Sequence, residues 1–255
     1  MKKSIDIQAM ITGVLSGSES DLSRLITIVE EGDPSVVSEV TDRLSPCIGK
    51  ARRIGVTGPA GCGKSTLISK LTHAIRGDLL SVGIIAVDPS SPLTHGAVLG
   101  DRIRMQEHYL DDGVFIRSMG TRGSYGGLSQ AVRLAVDLLD AFGKDMIIIE
   151  TTGVGQSDVA IAEVADTVVL VLVPGYGDSI QFMKAGILEI ADIIVVNKGD
   201  HKGSESLMID LQEVLNLGSK IPKPPILMAQ ALKSQGIEEI YRELKKTGRG
   251  IRTTI

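Results

Sequence analysis

Gly58-Pro59-Ala60-Gly61-Cys62-Gly63-Lys64-Ser65 fits G-x-x-x-x-G-K-[ST], the phosphate-binding P-loop pattern. Gly58, Gly61 and Gly63 let the backbone curl so that successive N–H groups point inward. A concave nest of N–H groups at a helix start suits a polyphosphate. Lys64 adds a mobile positive charge for the β- and γ-phosphates, and Ser65 offers a hydroxyl to a magnesium ion. Thr66 carries the loop into the helix and completes the nucleotide-contacting set. Before the loop, Arg53-Ile54-Gly55-Val56-Thr57 reads as a short buried strand. After it, Leu67, Ile68, Leu71 and Ile75 recur at helical spacing. Strand, Gly-rich loop and helix form the context the motif demands; the competing reading is a Gly-rich turn with no ligand.

Outward from this stretch, strands and helices alternate. Strands are expected at 53–57, 83–88, 114–118, 146–151, 167–173, 193–197 and 225–229. Several are continuous apolar runs, such as Met146-Ile147-Ile148-Ile149 and Val168 to Val173. Such runs imply burial on both faces, hence a largely parallel sheet between helix layers. Helices are expected over 125–142, 178–191, 204–216 and 236–246. The fold class is α/β: a doubly wound, mainly parallel sheet whose ligands bind outside the carboxyl ends of the strands. Residues 1–50 read as a helical extension, with apolar stripes at Leu22, Leu25, Ile26, Val29 and at Val36, Val37, Val40, Leu44. Gly32-Asp33-Pro34 separates the two stripes as a helix stop and start, with Asp33 as N-cap and Pro34 at the first helical position. Two short helices are therefore expected there, packed on a domain spanning 51–247, with 248–255 as a tail.

Composition narrows the function classes. The chain has 255 residues, of which 43% are hydrophobic, enough for a substantial core. Its net charge of −4 and 3% aromatic content argue against a nucleic-acid partner. Lys245, Lys246, Arg249 and Arg252 read as a solvated C-terminus. Cys47 and Cys62 form neither a disulfide framework nor a metal-spaced pair. His73, His95, His108 and His201 form no ligand pair on one face, which argues against catalytic zinc. Lys2 and Lys3 open the chain as a signal peptide does. Asp6, Gln8 and Thr12 then interrupt any apolar core, and no small-x-small cleavage site follows. The run Val168 to Val173 is too short to span a bilayer. The expectation is a soluble, cytoplasmic protein with no membrane partner.

Two acids stand at strand tips. Asp88 ends a strand in Val87-Asp88-Pro89-Ser90-Ser91-Pro92, and Glu150 opens Glu150-Thr151-Thr152-Gly153-Val154-Gly155-Gln156. An acid there can hold magnesium directly or through water; the alternative is that each caps the next element. Gly153 and Gly155 let the following loop swing with a γ-phosphate, and Gln156 can orient the attacking water. In Leu99-Gly100-Asp101-Arg102-Ile103-Arg104-Met105, an apparent helix, Asp101 can reach the metal. Arg102 or Arg104 can offset phosphate charge or simply form an exposed basic face.

Asn197-Lys198-Gly199-Asp200 follows a strand and matches N-K-x-D. A carboxylate at Asp200 can accept from guanine N1–H and its exocyclic amine together. Adenine presents an acceptor and no amine at that edge, so the carboxylate would be left unpaired. Lys198 can lay its aliphatic stem along the base, and Asn197 can tie the base loop to the P-loop. Gln230-Ala231-Leu232, after the last strand, can approach the base through a backbone N–H. Downstream of a P-loop, this motif favours GTP over ATP, making the chain a P-loop GTPase binding GTP/GDP and Mg2+, with Lys64, Asp101, Glu150 and Gln156 as its catalytic candidates.

These residues together resemble the MeaB/ArgK GTPases, the methylmalonic aciduria type A family, from roughly Leu22 to Tyr241. The specific marks are Asp88-Pro89-Ser90-Ser91-Pro92, the stretch Leu99–Met105, and Glu150 through Ser157. Pro174-Gly175-Tyr176-Gly177-Asp178-Ser179-Ile180-Gln181, continuing to Gly186-Ile187-Leu188-Glu189-Ile190-Ala191-Asp192, is a further mark. The resemblance implies a GTPase chaperone that gates cofactor loading and protects an adenosylcobalamin-dependent acyl-CoA mutase of the methylmalonyl-CoA mutase type. It implies that Asp88, Asp101 and Glu150 gather around magnesium with Ser65, and that 174–184 forms a third switch. His95 stands where the family usually has Gly. The chain ends at Ile255, where the family generally continues into a helical arm, so a homodimer would lack its usual arm. Rival readings are a nickel-type metallochaperone GTPase, which calls for clustered His or Cys, a kinase linked to amino-acid transport, which calls for an acceptor pocket, and a nucleotide-dependent structural switch with negligible turnover.

Overall fold

Seven strands form one sheet in the order β3-β2-β4-β1-β5-β6-β7, every neighbouring pair parallel. The structure is a computed structural model and describes residues 6–88, 105–120, 128–151, 157–175, 186–218 and 221–247. The strands are β1 (Arg52–Thr57), β2 (Val82–Asp88), β3 (Val114–Gly120), β4 (Met146–Glu150), β5 (Thr167–Leu172), β6 (Ile193–Val196) and β7 (Ile226–Met228). The described α-helices are α1 (Ile7–Leu15), α2 (Glu19–Glu31), α3 (Pro34–Leu44), α4 (Lys64–Gly77), α5 (Gln130–Phe142), α6 (Ser157–Ala160), α7 (Ile187–Ile190), α8 (Ser204–Leu217) and α9 (Ile237–Lys246).

The apolar runs bury both faces, as their composition requires. Alternate residues of one strand feed opposite cores. Ile54, Val56, Ile84, Ile148, Val169 and Val171 pack under α4 and α9. Ile85, Val87, Ile147, Ile149 and Val168 pack under α5 and the N-terminal helices. Leu170, Leu172, Ile194 and Val196 meet α7 and α8 in a third cluster. The doubly wound sandwich expected from the sequence is the observed fold.

The strand boundaries depart from the expected ones by a residue or two. The extension departs further: among the described residues three helices precede β1, not two. Ile7, Ile11 and Val14 are buried along one face of α1, and Asp6 caps it by accepting from the Ala9 N–H at 2.9 Å. Asp6, which in the sequence only interrupts an apolar run, is a helix start. The boundary at Gly32-Asp33-Pro34 is as expected: Asp33 accepts from the Ser35 N–H at 2.9 Å, with Pro34 at the first position. Of the helix expected over 125–142, residues 125–127 lie outside the described residues, and the described helix begins at Gln130, where Ser129 is extended and its side chain accepts from the Val132 N–H. The helix expected over 178–191 is described only as α7. The helix expected at Leu99–Met105 lies, but for Met105, outside the described residues.

One buried group ties the loop between the extension and β1 to α5. The Asp140 carboxylate on α5 accepts from the N–H groups of Gly49 (2.8 Å), Lys50 (3.0 Å) and Ala51 (2.9 Å) and from Arg53 Nη2 (2.8 Å). Its side chain has no exposed surface. Burial opposes its charge, but the Arg53 guanidinium and the three N–H groups outweigh that and hold its carboxyl below the usual range. Asp137 shares the same guanidinium at 2.8 Å, yet there burial prevails and pushes its carboxyl up.

Asp140→Ala leaves the half-buried Arg53 with Asp137 alone and takes the acceptor from three N–H groups, of which that of Ala51 is buried. The expected loss is about 1–3 kcal/mol of unfolding free energy, the cost of a buried polar group left without its partner, read from urea denaturation at neutral pH. Because the folded carboxyl is depressed, its contribution is present above the unfolded value of about 3.9 and fades as pH falls through the folded one. The difference between wild type and Asp140→Asn should therefore narrow in acid. An unchanged urea midpoint for Asp140→Ala would show that this group does not fasten the extension.

Candidate nucleotide site

Because every strand pair is parallel, the carboxyl ends of the strands share one edge. Glu150 lies level with Val56 and Ala86, and Val196 lies level with Leu172 and Met228. The loops leaving Thr57, Glu150, Val196 and Met228 therefore converge without further instruction.

The loop after β1 turns at Gly58, whose φ of 142° is open only to glycine. A Cβ there would sit 2.0 Å from the Val171 carbonyl oxygen. Gly63 ends the loop with φ 93°, and a Cβ there would lie 2.4 Å from Asn197 Nδ2. Lys64 opens α4 and is 6% exposed; its Nζ donates to the carbonyls of Gly58 (2.8 Å) and Pro59 (3.0 Å). Cys62 is fully buried, and burial pushes its thiol up, so the sulfur stays protonated. Ala60 and Gly61 are exposed at the loop crest, and Thr66 is half-buried behind Ser65.

Ser65 Oγ donates to Glu150 Oε1 at 2.8 Å, and both residues are buried. Glu150 is held at the end of β4 by its neighbour. The Thr151 N–H donates to the Val56 carbonyl at 3.1 Å, and Thr151 Oγ1 meets Thr57 Oγ1 at 3.0 Å. A hydroxyl and a carboxylate converging in this way form an all-oxygen set that suits magnesium. Asp88 closes β2 at the same edge. Asp101 and Gln156 lie outside the described residues, as do Arg102, Arg104, Asp178 and Gln181. Among the described residues, no group of three or more His, Cys, Asp or Glu is placed to hold a metal ion.

The loop after β6 reaches back over the P-loop. Asn197, 2% exposed, donates Nδ2 to the Cys62 carbonyl at 2.9 Å and accepts at Oδ1 from the Ala231 N–H at 3.1 Å. Lys198 takes the left-handed φ of 56°, and its Nζ donates to the Gly61 carbonyl at 3.0 Å. Asp200 is exposed, and its Oδ2 lies 3.0 Å from Lys233 Nζ. That hydrogen-bonded ammonium holds the Asp200 carboxyl below the usual carboxylate range. Leu232 is 85% exposed on the turn after β7, and Gln230 Oε1 is buried with no hydrogen-bond partner among the described residues.

Lys64, Ser65, Glu150, Asn197, Lys198, Asp200 and Ala231 thus gather along one edge. Sequence reasoning missed Thr57, Thr151 and Lys233. The threonine pair is signalled only by strand register, and no spacing rule joins Lys233 to a residue 33 positions away.

Residues 22–254 match the family described as methylmalonyl Co-A mutase-associated GTPase MeaB. A Pyrococcus horikoshii protein described as a candidate GTPase is 48% identical over 245 residues, covering 94% of this chain and 77% of that one. The methylmalonic aciduria type A homolog of Caenorhabditis elegans is 30% identical over 261 residues, covering 94% and 65%. Among solved structures, that of a protein described as a LAO/AO transport system kinase superposes with a TM-score of 0.74 at 27% identity, covering 97% of this chain and 77% of that one. Among the described residues, no helix is long and apolar enough to cross a membrane.

Asn197→Ala should leave the Cys62 carbonyl and the Ala231 N–H without their partner. The expected cost is about 1–3 kcal/mol for each group that water cannot reach. Chemical denaturation of the nucleotide-free protein checks this, and an unchanged midpoint would mean the two loops are held together by something else.

Proposed function

The chain belongs to the MeaB family of GTPases, and we propose from that premise that it is a magnesium-dependent GTPase chaperone for an adenosylcobalamin-dependent acyl-CoA mutase. The observation that carries the nucleotide half is the Asn197 amide, which joins a guanine-type N-K-x-D loop to a P-loop in one rigid unit. The family description and the Caenorhabditis elegans homolog support the mutase half.

The residues divide the work by chemistry. The N–H groups of Gly61, Cys62, Gly63, Lys64, Ser65 and Thr66, at the loop crest and the start of α4, take phosphate oxygens, with Gly58, Pro59 and Ala60 shaping the curve. Lys64 exchanges two carbonyl partners for the β- and γ-phosphates. Ser65 and Glu150 hold the magnesium ion, with Asp88 and Asp101 completing its ligands. The bound metal would spread the charge that develops on the phosphate oxygens. Gln156 orients the attacking water. Asp200 accepts from guanine N1–H and the 2-amino group. Lys198 and the exposed Leu232 cover the two faces of the base, and Gln230 and Ala231 shape its edge. Because no strong general base stands in this set, hydrolysis depends on positioning. A partner that orders the loops at this edge would accelerate it. The stretch 174–184, carrying Asp178 and Gln181, is proposed as the relay to the mutase.

The superposed protein is described as a transport-system kinase, which keeps phosphoryl transfer to a protein acceptor as a second reading. Radiolabelled γ-phosphate appearing on a protein rather than as inorganic phosphate would favour it.

Asp200→Asn should weaken GTP by about 1.5–3 kcal/mol, the range for a hydrogen bond to a charged group, and improve binding of xanthosine nucleotide, which presents a carbonyl in place of the amine. Titration of both nucleotides checks this; equal affinity of wild type for ATP and GTP rejects the base assignment.

Lys64→Ala should abolish turnover. Glu150→Ala should raise the magnesium concentration needed for half-maximal rate. Turnover of wild type should rise when a cobalamin-dependent acyl-CoA mutase from the same cell is added. No stimulation by any such mutase would count against the chaperone reading while leaving the GTPase intact.

A further inference from the structure

Lys233 and Asp200 sit on different loops, yet their backbones are fixed relative to each other. Asp200 follows β6 by four residues. Lys233 ends the 3-10 turn Ala231–Lys233 after β7. Between them run the Gly199 N–H to Ala229 carbonyl bond (2.9 Å) and the Ala231 N–H to Asn197 Oδ1 bond (3.1 Å). Gln230 and Gln235 exchange backbone bonds of 3.1 and 3.2 Å, closing the turn that carries the lysine. Gly236, at φ 78°, lets that turn press on β7; a Cβ there would lie 2.3 Å from the Met228 carbonyl oxygen.

On this framework Lys233 Nζ stands 3.0 Å from Asp200 Oδ2, with side chains 58% and 45% exposed. A pair so exposed adds little to folding stability, so stability does not account for its placement. Its effect falls on the carboxylate. A solvent-exposed Asp rotates freely about its side-chain bonds, whereas one oxygen tied to an ammonium restricts the carboxylate plane. Each carboxylate oxygen carries two acceptor positions, so Oδ2 can keep the lysine and still meet a base.

We propose that Lys233 is a positioning residue for base discrimination: it fixes the Asp200 carboxylate so that both oxygens meet the N1–H and the 2-amino group of guanine together. The proposal rests on the guanine reading of Asp200 given above. Its consequence is specific. A hypoxanthine nucleotide keeps N1–H but lacks the 2-amino group, so it engages one oxygen and needs the plane less. Loss of Lys233 should therefore weaken guanine nucleotide more than hypoxanthine nucleotide. A residue that merely stabilised the loop would weaken both alike.

The test is calorimetric titration of GDP and IDP into the full chain for wild type, Lys233→Ala and Lys233→Arg, at low and high salt, with thermal melts as a folding control. Wild type should prefer GDP. Lys233→Ala should narrow the GDP-over-IDP ratio by about two- to fivefold, the range an exposed ion pair supports. Lys233→Arg should restore it, and the difference should shrink in high salt. An unchanged ratio in Lys233→Ala overturns the proposal. So does tighter GDP binding by that variant, which would make the lysine a competitor for the carboxylate. A wild type that holds GDP and IDP equally rejects the guanine reading of Asp200, and the proposal with it.

Discussion

The side-chain amide of Asn197 is bound at both ends, to the Cys62 carbonyl and to the Ala231 N–H, and the edge of the sheet is built around it. The amide occupies the space a side chain at position 63 would need, so the P-loop must carry glycine there. It spans 135 residues of sequence in one direction and 34 in the other. A rotation of that one group would unpair a donor and an acceptor in a site that is 2% exposed. The loops after β1, β6 and β7 are therefore tied together through this one side chain.

What places the amide there is the parallel sheet. The Asn197 N–H donates to the Leu172 carbonyl at 2.8 Å, continuing the β5–β6 ladder one residue past the strand. Parallel pairing also forces each strand to be covered on both faces, and the sequence supplies this with uninterrupted Val, Ile and Leu. Asp140 on α5 fastens the loop that joins the helical extension to β1. Buried charge is found in both places: Asp140 lies under α5, and Lys64 and Glu150 lie at the edge among the exchangeable contacts.

Those exchangeable contacts share a pattern. Lys64, Lys198 and Lys233 each rest on an oxygen acceptor: the carbonyls of Gly58 and Pro59, the carbonyl of Gly61, and the carboxylate of Asp200. The ammonium groups are thereby held close to where anionic phosphate and a polar base would arrive. Lys64 has to release its two carbonyls to take a phosphate, whereas Lys233 can keep its carboxylate when a base arrives.

The strands were legible because a continuous apolar run has few other places to go, and the P-loop and N-K-x-D motifs were legible because their residue types are dictated by phosphate and by guanine. The α1 helix was hidden because Asp6, Gln8 and Thr12 break the apolar run that a linear reading looks for, while Ile7, Ile11 and Val14 meet only once the chain is coiled. The pairing of Ser65 with Glu150 and of Thr57 with Thr151 joins residues 85 and 94 positions apart; strand register decides the second, and register together with the P-loop turn into α4 decides the first. The contact of Lys233 with Asp200 is beyond any local pattern, since two separately anchored turns create it. Sequence by itself determined the strands, the helices other than α1 and the chemical types at their ends, because these follow from local hydrophobicity and from backbone freedom. Tertiary structure alone decided which of those ends touch, because hydrogen-bond geometry is set by register and loop anchoring, which no single segment contains.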